Sequence, residues 1–79
     1  MSNNWHYPSK GEYPTVTGSY LVFAEGENGL QYAIGEYFAE ANRERWMRAG
    51  EWYMELDGVS GEIVPIAWMH LPQPPQEAV

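Results

Sequence analysis

His6 and His70 are the two imidazoles of a chain that has no cysteine. A zinc or copper site would need both, joined by carboxylates that the fold would have to bring in. The plainer reading packs His70 beside Trp68 where a strand gives way to an arm, and leaves His6 on an N-terminal arm. Nucleophilic catalysis needs a hydroxyl beside a base, but Ser9, Thr15, Thr17, Ser19 and Ser60 sit in no motif such as Gly-x-Ser-x-Gly. Paired carboxylates about 5 to 9 Å apart can hydrolyse a glycoside, yet eleven acids in so short a chain make accidental pairs common. Gly26 and Gly29 have Glu25 and Glu27 as neighbours, which would repel a phosphate rather than cradle it. Arg43, Arg45, Trp46 and Arg48, with Trp52 and Tyr53, could stack on single-stranded nucleic acid, but acidic segments flank them on both sides. In the commoner arrangement Trp46 and Trp52 are core residues and the arginines pair with nearby glutamates. The expectation is a non-enzymatic protein with no catalytic residue, no metal and no cofactor.

The elements that must position these groups are constrained by size. Seventy-nine residues allow one core and no second module. Such a chain buries only about 60 to 65% of its unfolded surface, so its stability rests on large side chains, and four Trp, six Tyr and two Phe supply them. These are more rings than a core this small can hide, so some are expected at a contact surface. The formal charge of −7 repels phosphate backbones and argues against direct nucleic-acid binding. The charge is also patterned. Glu25, Glu27, Glu36 and Glu40 form one acidic stretch, and Glu51, Glu55, Asp57 and Glu62 form another. The basic group Arg43, Arg45 and Arg48 lies between them. With no apolar run long enough to span a bilayer and no basic leader at Met1 to Trp5, the expected setting is the cytoplasm, with no membrane contact.

The local pattern is that of strands. The expected fold class is mainly β: a small antiparallel sheet of four or five strands with at most one short helix, α+β being the variant. Met1 to Pro14 reads as an aromatic, proline-containing arm. Ser19 to Ala24 reads as the first strand, and the Gly and Asn-Gly residues of 25 to 29 as a hairpin turn. In the next strand Leu30, Tyr32, Ile34 and Phe38 share one parity and form the apolar face. Residues 39 to 49 fit either one or two helical turns, or a polar loop over 39 to 44 followed by a strand over 45 to 49. The meander on either side favours the loop and strand. Trp52, Met54 and Leu56 alternate as a further strand, Asp57-Gly58 and Ser60-Gly61 mark a loop, and Ile63 to Met69 is the last strand. Pro65, lacking an N–H, makes that last strand irregular or places it at an edge. Residues 71 to 79 form a proline-rich C-terminal arm, extended because each Pro fixes its own φ.

The string Trp68-Met69-His70-Leu71-Pro72-Gln73-Pro74-Pro75 resembles the C-terminal signature Trp-Met-x-Leu-Pro-x-Pro-Pro of a family of short phage and prophage proteins classed as a domain of unknown function. Trp5, Pro14, the Tyr20-Leu21-Val22-Phe23 strand and Tyr32-Ala33-Ile34 resemble earlier positions of that family by pattern. Between Phe38 and Val59 the chain departs from it, with additional residues and additional aromatic and Arg side chains. The resemblance implies a phage or prophage origin and an accessory role, and it brings no catalytic residues. By analogy with small acidic phage proteins, it implies binding to a host protein, with inhibition of a nucleic-acid-handling or CRISPR-type defence complex as one form.

Together these readings predict a partner-binding surface of Glu25, Glu27, Glu51, Trp52, Tyr53, Glu55, Asp57 and Glu62. It would face a host protein with a basic surface and steer its approach. A homodimer is the second partner expectation, because a single small sheet has two faces to cover. The alternative function is a small ligand-binding or hydrolytic domain built on exposed rings and carboxylates. A deep pocket with two close carboxylates would mark that alternative, and a flat acidic face would mark the first reading.

Overall fold

The structure, a computed structural model, describes residues 4–72. It is mainly β, as the residue pattern predicts. Five strands, β1 (Gly18–Gly26), β2 (Gly29–Phe38), β3 (Glu51–Leu56), β4 (Val59–Glu62) and β5 (Ala67–Met69), form one antiparallel sheet in the order β4-β3-β2-β1-β5. One 3-10 turn, Pro8–Lys10, is the short helical element. Among the described residues no helix is long and apolar enough to cross a membrane.

Both hairpins turn on two residues. Glu27-Asn28 joins β1 to β2 between the paired Gly26 and Gly29. Asp57-Gly58 joins β3 to β4 with both φ angles positive, 55° and 78°, the backbone twist that matches right-handed strands and that Asp-Gly accepts most readily. This tight turn corrects the expectation of a loop through Ser60-Gly61, because those two residues pair with Glu55 and Met54 in β4. The last strand is also shorter than expected. Residues 63–66 form a crossover and pairing begins at Ala67, because Pro65 has no N–H to donate and is itself buried.

That crossover determines the shape of the sheet. β4 and β5 are opposite edges, which in a flat sheet lie four strand spacings apart, or about 19 Å. By register Glu62 aligns with Ser19 and Ala67 with Phe23, a further offset of about 13 Å along the strands. The chain from Glu62 to Ala67 can reach only about 18 Å. The sheet must therefore curl, and the indoles of Trp52 on β3 and Trp68 on β5 meet across the hollow side at 6.2 Å.

The inner face holds the core: Tyr20, Val22, Ala24, Tyr37, Trp52, Met54, Leu56 and Trp68, with Ala33 and Ile63 packed against them. Tyr20 meets Trp68 and Trp52 edge-on, and Tyr37 tilts against Trp52 at 4.9 Å. The N-terminal arm is pinned to this core. His6 pairs with Trp68 through two backbone hydrogen bonds and stacks on its ring, and the Trp68 indole donates to the Glu12 carbonyl at 2.9 Å.

The apolar row of β2 largely faces away from the core, and residues 39–50 differ from the expected loop and strand. Leu30, Tyr32 and Ile34 lie on the outer face, 58%, 67% and 54% exposed, while Ala33, Gly35 and Tyr37 face the core. Gly35 pairs with Met54, which places β2's small residues opposite the row carrying Trp52. A Cβ at Gly35 would come within 3.0 Å of Val22 and 3.1 Å of Met54, so large neighbours use the space this row leaves. Residues 39–50 form neither a helix nor a strand. They make a loop closed by reciprocal backbone bonds between Asn42 and Met47. Trp46 at its tip has a φ of 58° and is 88% exposed rather than in the core, because the pairing that closes the loop points Met47 inward instead. The proline-rich arm beyond Pro72 lies outside the described residues.

Filling the space at Gly35 tests the reversed parity. Gly35→Val should destabilise the fold by about 1–3 kcal/mol through overpacking against Val22 and Met54, read as a lower urea midpoint. The same change at an outward position would leave that midpoint nearly unmoved.

Candidate functional site

The outer face of the sheet follows from register, since paired residues project to the same side. Toward the β5–β1–β2 half it carries Ala67, Met69, Leu21, Phe23, Leu30, Tyr32 and Ile34. Toward β3–β4 it carries Glu51, Tyr53, Glu55, Ser60 and Glu62. An apolar half thus adjoins an acidic half on one continuous face, with Glu25 paired to Leu30 at the hairpin end.

The residues expected at the partner surface divide into four groups. Glu25, Glu55 and Glu62 lie exposed on this face and Glu27 is exposed in the adjoining turn. Glu51 and Tyr53 share the face but are half-buried. The Glu51 carboxylate accepts the Arg48 N–H at 3.1 Å, and Arg45 lies over the rings of Tyr53 and Phe38. Arg45 also bonds Glu36 at 2.8 Å, an exposed pair of small energetic weight. Trp52 is a correction: at 2% exposure it belongs to the inner core and its ring cannot reach a partner. Period-two alternation places Trp52 and Tyr53 on opposite faces, so the two could never serve one surface together.

Asp57 is exposed in the β3–β4 turn and also holds two turns together. Its carboxylate accepts the Asn28 N–H at 3.1 Å and the Gln31 side-chain amide at 3.0 Å, tying the β3–β4 turn to the β1–β2 turn. Those bonds, the backbone one first, hold its pKa below the ordinary carboxylate value.

The residues that sequence reasoning missed are the exposed apolar ones, Leu30, Tyr32 and Ile34, and with them a hollow of about 200 Å³. Trp5 and Tyr7 of the arm, Phe23 of β1, Tyr32 of β2 and Ala67 of β5 line it. Phe23 and Tyr32 are cross-strand partners with ring centres 5.0 Å apart, and Trp5 reaches to 6.2 Å from Tyr32. Among the described residues no carboxylate or imidazole lines the hollow. His6 and His70 do approach each other, at 6.3 Å between ring centres beside Trp68, but among the described residues no group of three or more His, Cys, Asp or Glu could hold a metal.

No family model matches the chain, and no curated protein or solved structure matches it.

Asp57 gives a pH test. Its folded-state pKa is lowered, so its stabilising contribution is present above the unfolded carboxylate value of about 3.9 and is lost as pH falls through the lower folded value. Asp57→Asn should therefore lower the melting temperature at neutral pH and converge with the parent protein at the acid end. A constant difference across the whole range would show that the turn-to-turn bonds do not depend on the charge.

Proposed function

We propose that this domain is a non-enzymatic binding protein that engages a basic protein partner with the outer face of its sheet. The observation that carries this reading is the adjacency on that face of exposed Leu30, Tyr32 and Ile34 with exposed Glu25, Glu55 and Glu62. Apolar side chains at the centre of an interface supply the area whose burial favours association, while carboxylates at the rim accelerate encounter with a positive surface and reject a negative one. The high net negative charge extends that steering field over the whole molecule.

Under the resemblance of the C-terminal string, the domain is a phage or prophage accessory protein acting in the host cytoplasm. Its partner is then a host protein, and covering the basic groove of a nucleic-acid-handling or defence complex is the action this surface suits. The ligand-binding alternative keeps one supporting observation, the ring-lined hollow. The described residues of its lining include no acid–base pair and so lend no support to hydrolysis.

The test begins with the tagged chain as bait in a host-cell lysate at low salt, followed by identification of the captured protein. With that protein in hand, Glu55→Lys combined with Glu62→Lys should slow association about tenfold or more at low ionic strength, and added salt should shrink the difference. Both positions are exposed, so the fold should persist. An association rate unmoved by the double substitution would remove the electrostatic basis of the reading.

A further inference from the structure

We infer that the hollow between the N-terminal arm and strands β1, β2 and β5 is an aromatic cage for a trimethylated lysine carried on a basic protein segment. This deepens the binding reading above and rests on it. Four rings from three separate stretches of chain, Trp5 and Tyr7, Phe23, and Tyr32, line the hollow together with the small residue Ala67. Ring faces carry negative quadrupole density and attract a cation within about 6 Å of their centres. The molecule already shows this preference. The Lys10 ammonium lies 5.0 Å from the centre of the Tyr7 ring, one wall of the hollow, and Arg45 lies over Phe38 and Tyr53 elsewhere on the outer face.

The lining also selects among cations. Among the described residues that line the hollow, two phenol hydroxyls are the side-chain hydrogen-bond acceptors. A primary ammonium brings three N–H donors and a guanidinium five, and burying them unpaired is unfavourable. A trimethylammonium has no N–H, is weakly hydrated, and presents methyl groups to the rings while keeping its charge. A neutral proline ring would fit an aromatic hollow but gain nothing from the field around it. Two carboxylates outnumber the Lys10 ammonium near the hollow: Glu12 accepts the Tyr7 backbone N–H, and Glu25 lies two residues beyond Phe23 on the same face. These carboxylates disfavour a phosphocholine headgroup, whose phosphate would sit beside them. Glu55 and Glu62 on the same face suit the basic residues that surround a lysine in a protein segment.

Titration of the protein with matched short basic peptides tests this, following the Ala67 methyl and Tyr32 ring signals by NMR and the affinity by calorimetry. The peptides would carry, at one position, trimethyl-lysine, unmodified lysine, or the neutral carbon isostere of trimethyl-lysine. The trimethyl-lysine peptide should shift the Ala67 and Tyr32 signals and bind about 5- to 30-fold more tightly than the isostere, and the unmodified peptide should not bind more tightly than the isostere. Tyr32→Phe should keep that preference and Tyr32→Ala should abolish it. Glu55→Lys with Glu62→Lys should instead weaken all three peptides alike, which separates a failure of the acidic-face reading from a failure of the cage. Equal affinity for the trimethyl-lysine peptide and its isostere would overturn the inference. So would tighter binding of a proline-rich peptide, or capture by phosphatidylcholine vesicles without a response to the trimethyl-lysine peptide.

Discussion

The contact between Trp52 and Trp68 is the one on which the rest of the structure depends. They sit on strands separated by two others, and their rings can meet only if the sheet curls. The short crossover from β4 to β5 enforces the same curl. Curling lets a sheet of this size act as its own second layer, which a small domain otherwise lacks. Tyr20 and Tyr37 fill the angle between the indoles, and the Glu12 carbonyl satisfies the Trp68 N–H. The Trp52 N–H has no partner among the described residues. That is a penalty of about 1–3 kcal/mol, which the surrounding ring packing must offset.

Closing the inner face on itself leaves the outer face without a layer. Among the described residues, the arm and the loop at 39–50 are the segments that reach it. Trp5 and Tyr7 come over β5, and Arg45 covers Phe38 and Tyr53. Between these two covers the apolar row of β2 stays open, next to the carboxylates of β3 and β4. The hollow at Ala67 belongs to this arrangement, since an arm paired at His6 with Trp68 necessarily hangs its neighbouring rings on the outer side. Core formation and the exposure of a mixed apolar and acidic face are thus two consequences of the same curl.

The fold class and the strands β1, β2 and β3 were legible in the residues, because alternation, the turn residues around Asn28 and Gly29, and Asp57-Gly58 are local signals. The face of β2 was not. β1 is apolar at both parities, Tyr20, Val22 and Ala24 against Leu21 and Phe23, so it imposes no choice on its partner. In β2 the larger side chains mark the apolar face, but the small Ala33 and Gly35 face the core and make room for indoles arriving from β3 and β5. That exchange of volume is non-local and leaves no periodicity behind. Trp46 was misread for the same reason: its composition suits a core, but the closure of its loop by Asn42 and Met47 decides otherwise. Of the expected surface, the carboxylates at 25, 55 and 62 could be found from charge alone, whereas the apolar centre they border could not.

The most direct measurement is a set of proton–proton Overhauser contacts from the Trp52 ring in the folded protein. Cross-peaks from Trp52 to the Trp68 and Tyr20 rings, with none to Leu30 or Ile34, are the expected result. Cross-peaks from Trp52 to Ile34 and none to Trp68 would mean that the sheet is flat and its faces are exchanged, contradicting both the core described here and the surface built on it.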